Sequence, residues 1–213
     1  ATGNGVEIVT MHRKTHQVRT YRVEETFFPT HFFNAFERGT EIVIDAPRIK
    51  ERFGTPVDRI TRPVDSHEWF MDAVPWRWAV DTATGRVTHH PTSYVAGEFP
   101  AINPNKVGLE HSFGYFATTR GRDVGTMSDG LAKTDLKKET VTIAEGLEDL
   151  TNPSEPIFVP REGAVDEDDG YLLSIWWNRQ TELSELCIYS TAEFGRTPLA
   201  RVKLPGRVPF GFH

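Results

Sequence analysis

The chain of 213 residues holds a single cysteine, which excludes a disulfide framework and any metal site built from several thiolates. Cys187 itself lies in the apolar run Leu186-Cys187-Ile188-Tyr189 and reads as a small buried hydrophobe. A secretory signal pattern is missing, as is any apolar stretch near the roughly 20 residues a bilayer-spanning helix needs, so cytoplasmic residence is the default expectation. A basic excess is also lacking. The net charge of -6 and pI near 5.8 argue against nucleic acid as a partner, and the acidic run Asp166-Glu167-Asp168-Asp169 reads as a solvated turn that would repel phosphate. Helical periodicity is scarce, and the 14 prolines are scattered in a way that discourages long helices. Only Asp45 to Phe53 offers a short helical turn.

Strand signals dominate what is present. Val80-Asp81-Thr82-Ala83-Thr84-Gly85-Arg86-Val87 is a strand, a polar turn closed by glycine, and a returning strand. The same grammar recurs at Ile8 to Val18, at Lys133 to Ile143 and at Ile188 to Arg196. The centres lie about 55 to 70 residues apart, a loose repeat compatible with propeller blades that carry loop insertions. The predicted fold class is therefore all-β, a structural repeat rather than a string of separate domains. The longest irregular stretch, Gly54 to Pro75, contains Trp69-Phe70-Met71 and Val74-Pro75-Trp76. It reads as a loop over the sheet end or, alternatively, as an apolar surface offered to a lipid-like substrate or a peripheral membrane contact.

Of the 8 histidines, six take the ordinary reading of exposed or locally hydrogen-bonded residues. His12 and His16 fall in a polar hairpin turn, His89 and His90 on a polar strand, and His67 and His111 among charged or polar neighbours. His31 and His213 differ. Each sits in an aromatic stretch, Phe28-Pro29-Thr30-His31-Phe32-Phe33 and Val208-Pro209-Phe210-Gly211-Phe212-His213, where a polar ring is costly to bury unless it hydrogen-bonds or holds a metal.

The segment Thr30-His31-Phe32-Phe33-Asn34-Ala35-Phe36-Glu37 resembles the histidine, two variable residues, Asn-Ala-aromatic-Glu motif of the carotenoid cleavage oxygenases. Further similarities follow in that family's order: Gly97-Glu98-Phe99-Pro100-Ala101-Ile102-Asn103, Ser154-Glu155-Pro156-Ile157-Phe158-Val159-Pro160-Arg161, Glu167-Asp168-Asp169-Gly170-Tyr171-Leu172-Leu173, and Leu204-Pro205-Gly206-Arg207-Val208-Pro209-Phe210-Gly211-Phe212-His213. The resemblance spans essentially all of residues 1–213 but only about the C-terminal half of a family member. Ala101 and the Asn105-Lys106 pair stand where many relatives carry arginine.

The resemblance implies a seven-bladed β-propeller in the complete protein, of which this chain would hold the C-terminal blades of one domain. It implies a non-haem Fe(2+) held by four histidines, with His31 as the third ligand and His213 as the fourth. Glu98 and Glu155 match the carboxylates that orient those two histidines through the ring nitrogen not bound to metal. The first two histidines and a further glutamate are then expected upstream of Ala1, and the isolated fragment is expected to be inactive. The implied reaction is dioxygenase cleavage of a carbon–carbon double bond in a carotenoid, apocarotenoid or stilbene-type substrate, with O2 as co-substrate and two carbonyl products. Phe32, Phe33, Phe210 and Phe212 are candidates to contact the apolar substrate, with core packing as the competing role. Isomerohydrolase-type chemistry on the same iron scaffold, or a non-catalytic propeller fragment without iron, are the alternatives. A binding module has no need of carboxylates matched to two histidines.

Overall fold

A computed structural model describes residues 5–50, 73–118, 128–144 and 148–209. Among these residues the regular structure is antiparallel strand with one short 3-10 turn, Pro104–Lys106. Strands β1 (Val6–Met11) and β2 (Val18–Val23) form a two-stranded hairpin. The next sheet runs β3 (Phe27–Pro29), β4 (Asn34–Arg38), β5 (Glu41–Lys50), β6 (Val74–Asp81) and β7 (Val87–Pro91), with β3 and β4 both paired to β5. A third sheet contains β8 (Gly97–Ala101), β9 (Phe113–Thr118), β10 (Gly130–Asp135) and β11 (Thr140–Ile143). The fourth contains β12 (Leu150–Thr151), β13 (Ile157–Pro160), β14 (Gly170–Asn178), β15 (Ser184–Ser190) and β16 (Ala200–Lys203), with β12 and β13 both on β14.

Each of the last three sheets is thus a meander of four rungs, and in two of them the first rung comes in two pieces. The four turn units expected from sequence are the β1–β2, β6–β7, β10–β11 and β15–β16 connections, the closing hairpin of each sheet in turn. The β6–β7 turn shows why the grammar works. The Asp81 carboxylate accepts from the Ala83 and Thr84 N–H groups, and Gly85 takes the left-handed φ of 77° that closes the turn.

The core lies between successive sheets. Val23, Ala46 and Trp78 pack between the first and second, Phe33, Phe116 and Ala132 between the second and third, and Tyr115, Leu131, Phe158, Leu172, Trp176 and Cys187 between the third and fourth. Strand β14 alternates strictly between buried and half-buried positions, the period-2 signature of a strand with one dry face. The helical turn expected from Asp45 is not formed through Lys50, since these residues continue β5. β5 is flanked on both edges and covered on both faces, with Val43, Asp45, Ala46, Arg48 and Ile49 all buried, and that burial overrides the weak helical preference of an Ala-Pro-Arg-Ile-Lys run. Pro47 is tolerated because it lies opposite Pro75 on one side and opposite the gap between β3 and β4 on the other. Residues 51–53 of that expectation, and most of the Gly54 to Pro75 stretch, lie outside the described residues; Val74 and Pro75 open β6.

Candidate metal centre

All three first rungs are irregular, and each irregularity carries one of the site residues. Pro29 pairs with Arg48 and Asn34 with Asp45, so four residues, 30–33, face only two, 46–47, across the gap. His31 sits in that excess. In β8, Glu98 pairs with Ala117 and Ala101 with Tyr115, so two residues face one and the register slips just after Glu98. In the fourth sheet, Thr151 pairs with Trp177 and Ile157 with Leu173, and Glu155 lies in the intervening surplus. Such bulges turn side chains out of the alternation that a regular strand imposes.

Each break is stitched by hydrogen bonds. The Phe33 N–H donates to the Asp45 carbonyl over 2.8 Å. Ser154 donates its N–H to the Ile175 carbonyl at 2.7 Å, accepts from the Ile175 N–H on its hydroxyl at 2.9 Å, and accepts from the Ser174 hydroxyl on its carbonyl at 2.9 Å. At β8 the strain is overt, because Phe99 adopts a left-handed φ of 59° without being glycine, at a cost of roughly 1–2 kcal/mol. That conformation brings its N–H to 2.8 Å from Glu98 Oε2. Gly97 is required beside it, since a Cβ there would stand 2.3 Å from the Ala117 carbonyl oxygen and 2.4 Å from the Phe116 ring.

His31 and Glu98 meet across the boundary between the second and third sheets. His31 Nδ1 donates to Glu98 Oε2 at 2.8 Å, and the Phe99 ring lies against the imidazole with centroids 5.6 Å apart. An ionised carboxylate accepts only, so the Nδ1 proton faces Glu98 and the lone pair of a neutral ring is left on Nε2. The His31 side chain is 22% exposed while Glu98 is fully buried. Burial pushes the Glu98 carboxyl above its ordinary range, the His31 and Phe99 hydrogen bonds pull it back, and the charge of Glu155 adds a further upward push. Glu155, from the fourth sheet, is therefore an electrostatic neighbour of the pair. Among the described residues Glu98 Oε1 is buried without a hydrogen-bond partner, so the contacts of the acid run through Oε2.

Of the aromatic candidates, Phe32 is 58% exposed next to His31, whereas Phe33 is buried in the core, edge-on to Phe116 with centroids 6.0 Å apart. His213, Phe210 and Phe212 lie outside the described residues. Among the described residues no three histidine, cysteine or carboxylate side chains converge in a metal-binding cluster. His31 does fit a metal ligand by its chemistry, with Nδ1 bound to a buried carboxylate, the pairing that fixes the tautomer and orientation of a ligating imidazole.

One residue passed over in the sequence is part of the same architecture. His111 is buried, and burial holds its ring below the usual histidine pKa, with Asp45 opposing. Its Nδ1 lies 3.2 Å from Asn34 Nδ2 and its Nε2 3.4 Å from Oδ2 of Asp45, a carboxylate that Arg77 grips through one 2.7 Å hydrogen bond to each oxygen. The polar neighbours in sequence gave no sign of this, because its partners are far off in the chain, 77 residues away at Asn34 and 66 at Asp45.

The profile of the retinal pigment epithelial membrane protein family matches residues 2–213. The chain is 28% identical over 189 residues to apocarotenoid-15,15'-oxygenase of Synechocystis sp., covering 87% of this chain and 38% of that protein. It is 32% identical over 204 residues to the carotenoid cleavage oxygenase of Mycobacterium tuberculosis, covering 92% and 38%, and 27% identical over 219 residues to lignostilbene-alpha,beta-dioxygenase isozyme III of Sphingomonas paucimobilis, covering 92% and 42%. The crystal structure of cobalt-substituted Synechocystis apocarotenoid oxygenase, a β-propeller enzyme, superposes with a TM-score of 0.83 at 25% identity, over 97% of this chain and 43% of that one. The chain spans about two-fifths of the length of these relatives. Its interleaved sheets are those of a β-propeller, and the match over nearly every residue establishes that the chain belongs to the retinal pigment epithelial membrane protein family, the family of the carotenoid cleavage oxygenases.

Proposed function

We propose that this chain is the part of a non-haem Fe(II) dioxygenase that supplies two of its four metal-binding histidines, His31 and His213, and that the complete protein cleaves a carbon–carbon double bond of a carotenoid, apocarotenoid or stilbene-type substrate into two carbonyl products. The observation that carries this reading is the 2.8 Å bond from His31 Nδ1 to the buried Glu98 carboxylate. It is supported by membership of a family whose relatives are named as oxygenases of these substrates.

Fe(II), when bound, would supply dioxygen activation; the protein's part is to hold ligands, exclude water and aim the substrate. Glu98 fixes the tautomer and orientation of the His31 ring, so that Nε2 is the nitrogen that would bind the metal. It also raises the basicity of that nitrogen by accepting the Nδ1 proton. Its own burial keeps this contact dry, where it is electrostatically stronger than at a surface. Glu155 takes the corresponding role toward His213 in this reading. Phe32, exposed beside His31, is available to contact an apolar conjugated chain.

The test uses the full-length protein containing this chain, reconstituted anaerobically with Fe(II) and then exposed to O2 with a panel of carotenoids, apocarotenoids and hydroxystilbenes. Cleavage of at least one panel member into two carbonyl fragments, abolished by His31→Ala, is the expected result. An iron-replete protein that leaves the whole panel intact, or a His31→Ala variant of undiminished activity, would overturn the proposal.

A further inference from the structure

We infer that the connection between β8 and β9, residues 102–112, is a keystone that sets the relative placement of the three sheets contributing His31, Glu98 and Glu155, with Asn34 and Glu167 as its positioning residues. The inference rests on the reading of His31 as a metal ligand.

The apolar anchoring of the connection is confined to its two ends, where Ile102 is buried in the core with Phe33 and Phe116 and His111 packs edge-on against Phe36. Between them Val107 and Leu109 are 68% and 58% exposed, and apart from the short 3-10 turn the connection contains no regular element. Its backbone groups are met instead by side chains reaching in from the sheets on either side. From the second sheet, Asn34 Nδ2 donates to the Lys106 carbonyl at 3.1 Å and the Leu109 carbonyl at 2.8 Å, while Asn34 Oδ1 accepts from the Gly108 N–H at 2.9 Å. From the fourth sheet, Glu167 Oε1 accepts from the Ser112 N–H at 2.7 Å and the Phe113 N–H at 3.0 Å, and the Glu167 carbonyl accepts from Asn103 Nδ2 at 2.9 Å. A loop serving only to join two strands would leave these groups to water.

The placement of the anchors gives the arrangement its consequence. Asn34 opens β4, three residues beyond His31. Glu167 lies in the connection between β13 and β14, beyond the break that holds Glu155. The loop begins at the end of β8, the strand that carries Glu98. A shift of the loop against either anchor therefore moves Glu98 relative to His31 or to Glu155. The two anchors grip the same short loop, so releasing one loosens the footing of the other. Their effects on the site should be non-additive, as for residues sharing one hydrogen-bonded network.

The experiment titrates Co(II), in place of iron, into the full-length protein below its melting temperature and follows the visible d–d absorption. The proteins are wild type, Asn34→Ala, Glu167→Ala, the double variant, Glu167→Gln and His31→Ala. Each alanine variant should bind Co(II) about 10-fold more weakly, with an altered band. The double variant should lose much less than the product of the two. Glu167→Gln, whose amide oxygen can accept from the same two N–H groups, should stay within about threefold of wild type. Lower melting temperatures with unchanged Co(II) affinity and band in both alanine variants would overturn the inference, leaving the anchors merely structural. If His31→Ala loses affinity under those same conditions, the metal reading survives and only the keystone falls. Unchanged affinity in His31→Ala, or a wild type that binds no Co(II), overturns the metal reading and this inference with it. Should Asn34→Ala fail to fold, the comparison of Glu167→Ala with Glu167→Gln decides alone.

Discussion

Replacing Glu98 by glutamine separates ligand orientation from fold stability, because the first should suffer while the second hardly changes. The wild-type carboxyl is fully buried, accepts from His31 Nδ1 and the Phe99 N–H through Oε2, and leaves Oε1 without a partner among the described residues. In Glu98→Gln the amide oxygen takes the place of Oε2 and keeps both hydrogen bonds, now as neutral ones of roughly half the strength. The amide NH2 takes the place of the orphan oxygen. An unmet buried donor costs about 1–3 kcal/mol, but the wild type already carries an unmet acceptor there together with a charge held out of water. Stability at neutral pH should therefore change by no more than about 1 kcal/mol in either direction. Metal affinity should behave otherwise. His31 loses the ionised acceptor that raises the basicity of Nε2, and a 10- to 100-fold weaker association is expected, equivalent to about 1.4–2.7 kcal/mol. Chelator competition in the full-length protein gives the affinity, and urea denaturation of the metal-free form gives the stability. A variant destabilised by more than about 2 kcal/mol with metal affinity within twofold of wild type would refute the reasoning and make the pair a structural contact.

Three further outcomes are expected. Arg201 hydrogen-bonds Glu185 and Asp149 and holds both carboxyls below their ordinary range; stability from depressed carboxyls is present above their unfolded pKa values and lost as pH falls through the folded ones. Arg201→Met should thus cost about 2 kcal/mol at pH 7, discounted for the partial exposure of the pair, and thermal melts should show the deficit closing below about pH 4; a deficit independent of pH would contradict the ion-pair account. Gly97→Ala, which drives a Cβ into the Ala117 carbonyl and the Phe116 ring, should destabilise by about 1–3 kcal/mol, measured by urea denaturation, and a neutral result would show that β8 can shift freely. Burial pushes the Cys187 thiol up to about 12, so a colorimetric disulfide reagent should react with it only on unfolding, and rapid labelling of the native protein would show that this core opens.

The hairpins were legible because each is local. Asp81 and Gly85 specify their turn within five residues, and Asp135 does the same at β10–β11 by accepting from the Lys137 and Lys138 N–H groups. β5 was misread in part because its Asp45 and Arg48 look like solvent-facing helix residues, whereas the fold buries both; Asp45 is paired to Arg77 and the Arg48 guanidinium stacks 4.2 Å from the Trp76 ring centroid. The His31–Glu98 pair was reached through motif resemblance rather than pattern, since nothing in a single sequence says that two residues 67 apart will touch. His111 shows the limit of that route. It lies in no motif singled out, its partners come from another sheet, and only the packed structure turns a histidine with polar neighbours into a buried contact of Asn34.

The interruptions of the first rungs have a meaning apart from the chemistry they frame. A long, regular outermost strand presents a row of unpaired N–H and C=O groups that can recruit another chain edge to edge. Here those rungs are cut into pieces of two to five residues, and prolines stand in or beside them at Pro29, Pro100, Pro153, Pro156 and Pro160, each removing a donor from the row. Among the described residues no first rung offers an unbroken run of more than five residues. The geometry that lets His31 and the two glutamates leave the sheets is therefore also a guard against aggregation, and straightening these rungs to stabilise the fold would be expected to trade solubility along with the site.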